Sequence, residues 1–116
     1  MELQADEINS QWEGLLDQLA RVLGKRPADV NAVLFLVGVQ ELGQGARNFT
    51  KEQKQDLIHI GICRVLSPSG YYQFDNTDAD GWPHYRLIKK LPHVDILSQE
   101  LLLKSHILQY FQSEQL

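Results

Sequence analysis

The sequence predicts a mainly α fold: a four-helix single domain with a β-hairpin inserted between the third and fourth helices. Three observations carry that expectation. Four segments repeat their apolar residues at helical spacing. One segment, 70–88, is instead aromatic and alternating on both sides of a turn-rich stretch. The chain has 116 residues, which leaves room for one domain.

The first helix is expected over about 3–23. Ile8, Trp12, Leu15, Leu16, Leu19, Val22 and Leu23 form an apolar stripe with polar residues opposite. Gly24 suits the end of that helix, and Lys25 and Arg26 suit its carbonyl pole. The second helix is expected over about 27–42, with Pro27 at the first helical position and Asp29 in the first turn. Its run from Val30 to Val39 is rich in β-branched residues, so a buried strand competes. The length, about 16 residues, favours the helix. A helix apolar nearly all round belongs at the centre of a bundle, and Gly38 would let a neighbour approach closely.

Gly43 to Asn48 reads as a loop, after which Thr50 and Gln53 make a capping-box pattern for a third helix over about 50–66. Pro68 ends it, because the residue before a proline is pushed from helical geometry. Leu57, Ile58, Ile60, Ile62, Val65 and Leu66 supply the buried side. Tyr71–Phe74 and His84–Ile88 read as paired strands, with turn-forming residues from Asp75 to Gly81 between them. A last amphipathic helix is expected over about 96–112, with Leu101, Leu102, Ile107, Leu108 and Phe111 inward.

The charge balance excludes a general nucleic-acid binder. Eleven Lys and Arg face 15 Asp and Glu, for a net charge of -4, and neither half of the chain is basic. Cys63 is the only cysteine, so no internal disulfide and no cysteine-rich zinc knuckle can form. With an acidic start, Met1 to Glu7, and no apolar run longer than Ala32 to Val39, the expected setting is cytoplasmic and not a membrane.

Several residues are candidates for chemistry. Asn76 to Gly81 resembles the first half of an EF-hand loop, and a looser calcium loop would take Asp75, Asp78 and Asp80 as its ligands. The pattern departs from that family at Asn76, where Asp is expected, at Leu87, where the bidentate Glu belongs, and at Pro83. An acidic turn is the simpler reading. On the third helix Glu52, Asp56, His59 and Cys63 lie within roughly 60° of one another. Bundle metal sites need a matching Glu-x-x-His on a second helix, which is missing. Cys63 with His59 makes a poor nucleophile pair, since nothing cationic on that stripe lowers the thiol pKa. With no nucleotide-binding, hydrolase or zinc-protease motif, the sequence points to no enzyme and no cofactor.

The remaining candidates are the hairpin aromatics Tyr71, Trp82 and Tyr85, residue types favoured as interface anchors. The leading expectation is therefore a small helical protein that associates with itself or with another protein. Three helices followed by a hairpin also resemble a winged-helix DNA-binding regulator. Asp75, Asp78 and Asp80 on that wing would repel phosphates. The stretch from Lys51 to Lys90, above all Asp78-Ala79-Asp80-Gly81-Trp82-Pro83-His84-Tyr85, resembles a family of short uncharacterised bacterial proteins. The resemblance implies a bacterial cytoplasmic origin and no particular activity.

Overall fold

All four helices and the hairpin form. A computed structural model, which describes residues 5–45 and 47–114, gives the order α1 (Ala5–Leu23), α2 (Val30–Leu42), α3 (Lys51–Leu66), β1 (Tyr72–Thr77), β2 (Pro83–Leu87) and α4 (Ile96–Ser113). The elements gather into two compact units, one built on α1 and α4 and the other, residues 31–92, on α2, α3 and the hairpin. No helix among the described residues is long and apolar enough to cross a membrane.

In the first unit α1 buries Ile8, Trp12, Leu15, Leu16 and Leu19, the expected stripe. Each such side chain removed from water contributes about 1.5–3 kcal/mol. The stripe stops one turn early: Val22 is 65% exposed and Leu23 46%, so the last turn faces solvent. Gly24 closes the helix with φ +78, its N–H donating to the Ala20 carbonyl at 2.8 Å. Asp95 caps α4, its carboxylate accepting from the Ser98 N–H at 2.8 Å. Beyond the expected Ile107 and Leu108, α4 also buries His106 and Tyr110. His106 is a satisfied core residue, with Nδ1 2.7 Å from the Leu102 carbonyl oxygen. Lys104 joins the two helices, reaching Asn9 Oδ1 at 3.2 Å and lying 5.6 Å over the Trp12 ring.

In the second unit the ambiguous run is helical. α2 begins at Val30, three residues later than expected, which leaves both Pro27 and Asp29 ahead of the helix. From Ala32 to Leu42 no residue is exposed, and Val33, Leu34 and Val37 are fully buried. α3 carries the complete capping box: Gln53 N–H donates to Thr50 Oγ1 at 3.1 Å, and Thr50 N–H donates to Gln53 Oε1 at 2.9 Å. The helix stops at Leu66, and Pro68 sits in the 3-10 turn that follows, Ser67–Ser69.

The antiparallel hairpin pairs Tyr72 with Leu87 and Phe74 with Tyr85, then skips Asp75 and resumes at Asn76 with His84. This bulge carries β1 on to Thr77, so Asp75, Asn76 and Thr77 belong to the strand and not, as expected, to the loop. Strand alternation puts Tyr72, Phe74, Tyr85 and Leu87 on one face. That face meets α3, with the Tyr72 ring edge-on to His59 at 6.2 Å. Phe74 and Leu87 remain more than half exposed.

Candidate functional site

The capping box sets where α3 starts, and helical spacing then aligns Gln53, Asp56, Ile60 and Cys63 along one side, with His59 beside them. Opposite this side stands the hairpin loop. Its shape comes from Asp78, whose Oδ1 accepts from the N–H groups of Asp80 (2.9 Å) and Trp82 (3.0 Å). The Asp78 N–H donates to the Trp82 carbonyl, and Gly81, at φ +88, supplies the left-handed turn residue. Asp78 Oδ2 lies 2.8 Å from His84 Nε2, and because a carboxylate only accepts, that nitrogen carries the proton. The imidazole first, and the Trp82 N–H second, hold the Asp78 carboxyl below its ordinary pKa. From the other side Gln44 Nε2 donates to the Asp80 carbonyl at 2.9 Å, clasping the loop to the segment after α2.

Between α3 and this loop lies a cleft of about 450 Å³. Asp56 and His59 stand on the helix wall; Asp78, Asp80 and His84 stand on the hairpin wall; Trp82 and Tyr85 are the rings between them. Both rings pack from behind on Leu42, Leu57 and Ile60. Trp82 also meets Phe49 edge-on at 6.4 Å, and Phe49 meets Phe35 in the same way at 6.0 Å. Desolvation, helped by the nearby Glu41 carboxylate, pushes the Tyr85 hydroxyl pKa up to about 12. It stays protonated at neutral pH.

Cys63 lies beneath the cleft, fully buried, its Sγ 3.5 Å from His59 Nε2. Burial raises its thiol pKa from 9.0 to about 11. At pH 7 about one molecule in ten thousand carries the thiolate, so the pair is not poised for nucleophilic attack.

The structure distributes the expected site residues unevenly. Trp82 and Tyr85 come together in the cleft, whereas Tyr71 does not line it and sits under the Lys89 ammonium, 4.3 Å from its ring centroid. Asp78 and Asp80 line the cleft, and Asp75 stands apart at the strand bulge. Among the described residues no group of three or more His, Cys, Asp or Glu is disposed to hold a metal ion. The Asp78 carboxylate is turned into its own loop, as an acidic turn requires. The loop in the wing position of a winged helix carries Asp78 and Asp80, and residues 43–50 between α2 and α3 outlast a helix-turn-helix turn.

In the sequence the Asp56–His59–Cys63 stripe and the hairpin aromatics stand as separate candidates. Nothing there shows that they face each other, or that Gln44 and Gln53 belong with them. The i, i+3, i+7, i+10 spacing of Gln53, Asp56, Ile60 and Cys63 is the one available signal that a side of α3 meets another element. Comparison with known proteins adds no relative: no family model, no curated protein and no solved structure matches the chain.

Proposed function

We propose that this chain is a small non-catalytic protein that binds another protein through the cleft between α3 and the hairpin. The observation that carries the reading is the placement of Trp82 and Tyr85. Both rings are partly buried, braced from behind by Leu42, Leu57 and Ile60, and open to the same cleft. Rings held rigid in this way lose little freedom on binding and make effective anchors. The deeply protonated Cys63 thiol supports a binding role over a catalytic one. Association with a second copy of the chain has less in its favour, since the apolar circumference of α2, the natural face for it, is not exposed between Ala32 and Leu42. A cytoplasmic setting belongs to the same proposal and rests on the single free thiol.

The test is affinity capture with the wild-type chain and with the Trp82→Ala/Tyr85→Phe double variant, followed by titration of each purified captured protein. The reading expects a partner that binds the wild type directly and binds the folded double variant at least ten-fold more weakly. Equal affinity for both chains overturns it, as does sedimentation showing that the only partner is the chain itself.

A further inference from the structure

Building on the cleft as the binding site, we infer that the group it receives is a cation, a lysine or arginine side chain from a basic segment of the partner. The cleft has three carboxylates, from Asp56, Asp78 and Asp80, and neither Lys nor Arg among its lining residues. Asp78 is already engaged by His84 and by two backbone N–H groups. Asp56 and Asp80 are different: neither carboxylate forms a hydrogen bond or ion pair with a described residue. They come from separate elements, α3 and the hairpin loop, and stand on the two walls of one cavity.

Acidic groups alone would only gather solvated counter-ions. Here they stand with Trp82 and Tyr85, whose ring faces carry the negative end of the aromatic quadrupole. A long alkyl stem ending in an ammonium or guanidinium matches both features, the stem lying along the rings and the charge reaching the carboxylates. An anionic group would meet three carboxylates, with His84 already engaged by Asp78 and His59 the one other basic side chain in the lining. An uncharged apolar side chain would leave both of them facing a low-polarity neighbour.

The experiment follows amide and indole signals of the full chain by NMR during titration with a nonapeptide of alternating lysine and glycine. The comparison is the same peptide with every lysine acetylated. Only two tryptophans are present, so Trp82→Phe assigns the Trp82 indole. The expected result is a saturable shift of the Trp82 indole and of the Asp56 and Asp80 amides with the lysine peptide. It should weaken at least ten-fold in the Asp56→Asn/Asp80→Asn variant, whose melting temperature should stay at the wild-type value. Equal shifts with the acetylated peptide overturn the cation assignment and leave the cleft reading standing. Shifts centred on Glu13 and Asp17 of α1, or no shift in the cleft, also overturn it. The capture experiment with the ring variants then decides separately whether the cleft binds a partner.

Discussion

A Cβ placed on Gly38 would lie 2.0 Å from the carbonyl oxygen of Leu57, well inside van der Waals contact. The relationship is reciprocal: a Cβ on Gly61 would lie 2.2 Å from the carbonyl oxygen of Leu34. α2 and α3 thus cross backbone to backbone at two glycines, each seated one helical turn after the residue that the opposite glycine touches. This crossing holds α3 in place, and α3 supplies one wall of the cleft.

Gly38→Ala and Gly61→Ala should therefore each destabilise the protein, although alanine is the better helix former by about 1 kcal/mol. The obstacle in both cases is backbone, which does not swing aside, so a net loss of about 3 kcal/mol or more is expected. A Cβ on Gly14 of α1 would instead meet nothing within 4 Å, and Gly14→Ala should stabilise by about 0.5–1 kcal/mol. Urea unfolding of the three variants checks this. Equal and small effects at all three positions would show that the helices do not meet so closely.

Much of this architecture is legible in the sequence. Period and punctuation locate the helices, the Thr50–Gln53 pair marks where α3 begins, and Gly38 announces a close neighbour because nothing else explains a glycine inside an apolar helix. The identity of that neighbour is not legible, since the partner of Gly38 is a carbonyl oxygen, which every residue has. The cleft is harder still. Asp75 looks like a loop ligand until the bulge draws it into β1, and bulges depend on cross-strand pairing that no local pattern encodes. Val22 and Leu23 continue the α1 stripe on paper, and only the end of the packing surface shows that they face solvent.

The capping box should be measurable on its own. Thr50→Ala removes the acceptor for the Gln53 N–H and the reason for Gln53 to fold back, and should cost about 1 kcal/mol. Thr50→Ser keeps the oxygen and should cost much less. Thermal unfolding distinguishes them, and indifference to Thr50→Ala would mean that packing alone sets the start of α3.

The Asp78 knot predicts a pH effect confined to the loop. Its carboxyl pKa is lowered in the folded chain, so its contribution is present above the ordinary carboxylate pKa near 4 and disappears as pH falls through the lower folded value. His84→Gln removes the largest cause of the shift, and the Asp78 titration should move upward toward the ordinary value. Carboxyl NMR of both chains reads this directly. An unchanged Asp78 midpoint would mean that the backbone donors of Asp80 and Trp82 hold the carboxylate without the imidazole.

At the alkaline end Cys63 should govern stability. In the unfolded chain the thiol ionises near pH 9, whereas in the folded chain burial delays ionisation to about 11. Below 9 both states are protonated and the thiol favours neither; between 9 and 11 only the unfolded chain gains from ionising, so stability falls as pH rises. Two pKa units correspond to a loss of about 2–3 kcal/mol across that window. Cys63→Ala should lower stability at every pH through the cavity it leaves, yet flatten the decline between pH 9 and 11. Tyr85, with its own midpoint raised to about 12, and Tyr72, also raised by burial, leave a residual slope that Tyr85→Phe reduces. Urea unfolding at pH 7, 9 and 11 on wild type and both variants separates the two groups. A wild-type profile no steeper than that of Cys63→Ala would show that the thiol is open to solvent, and the cleft floor would then need to be redrawn around an accessible sulfur.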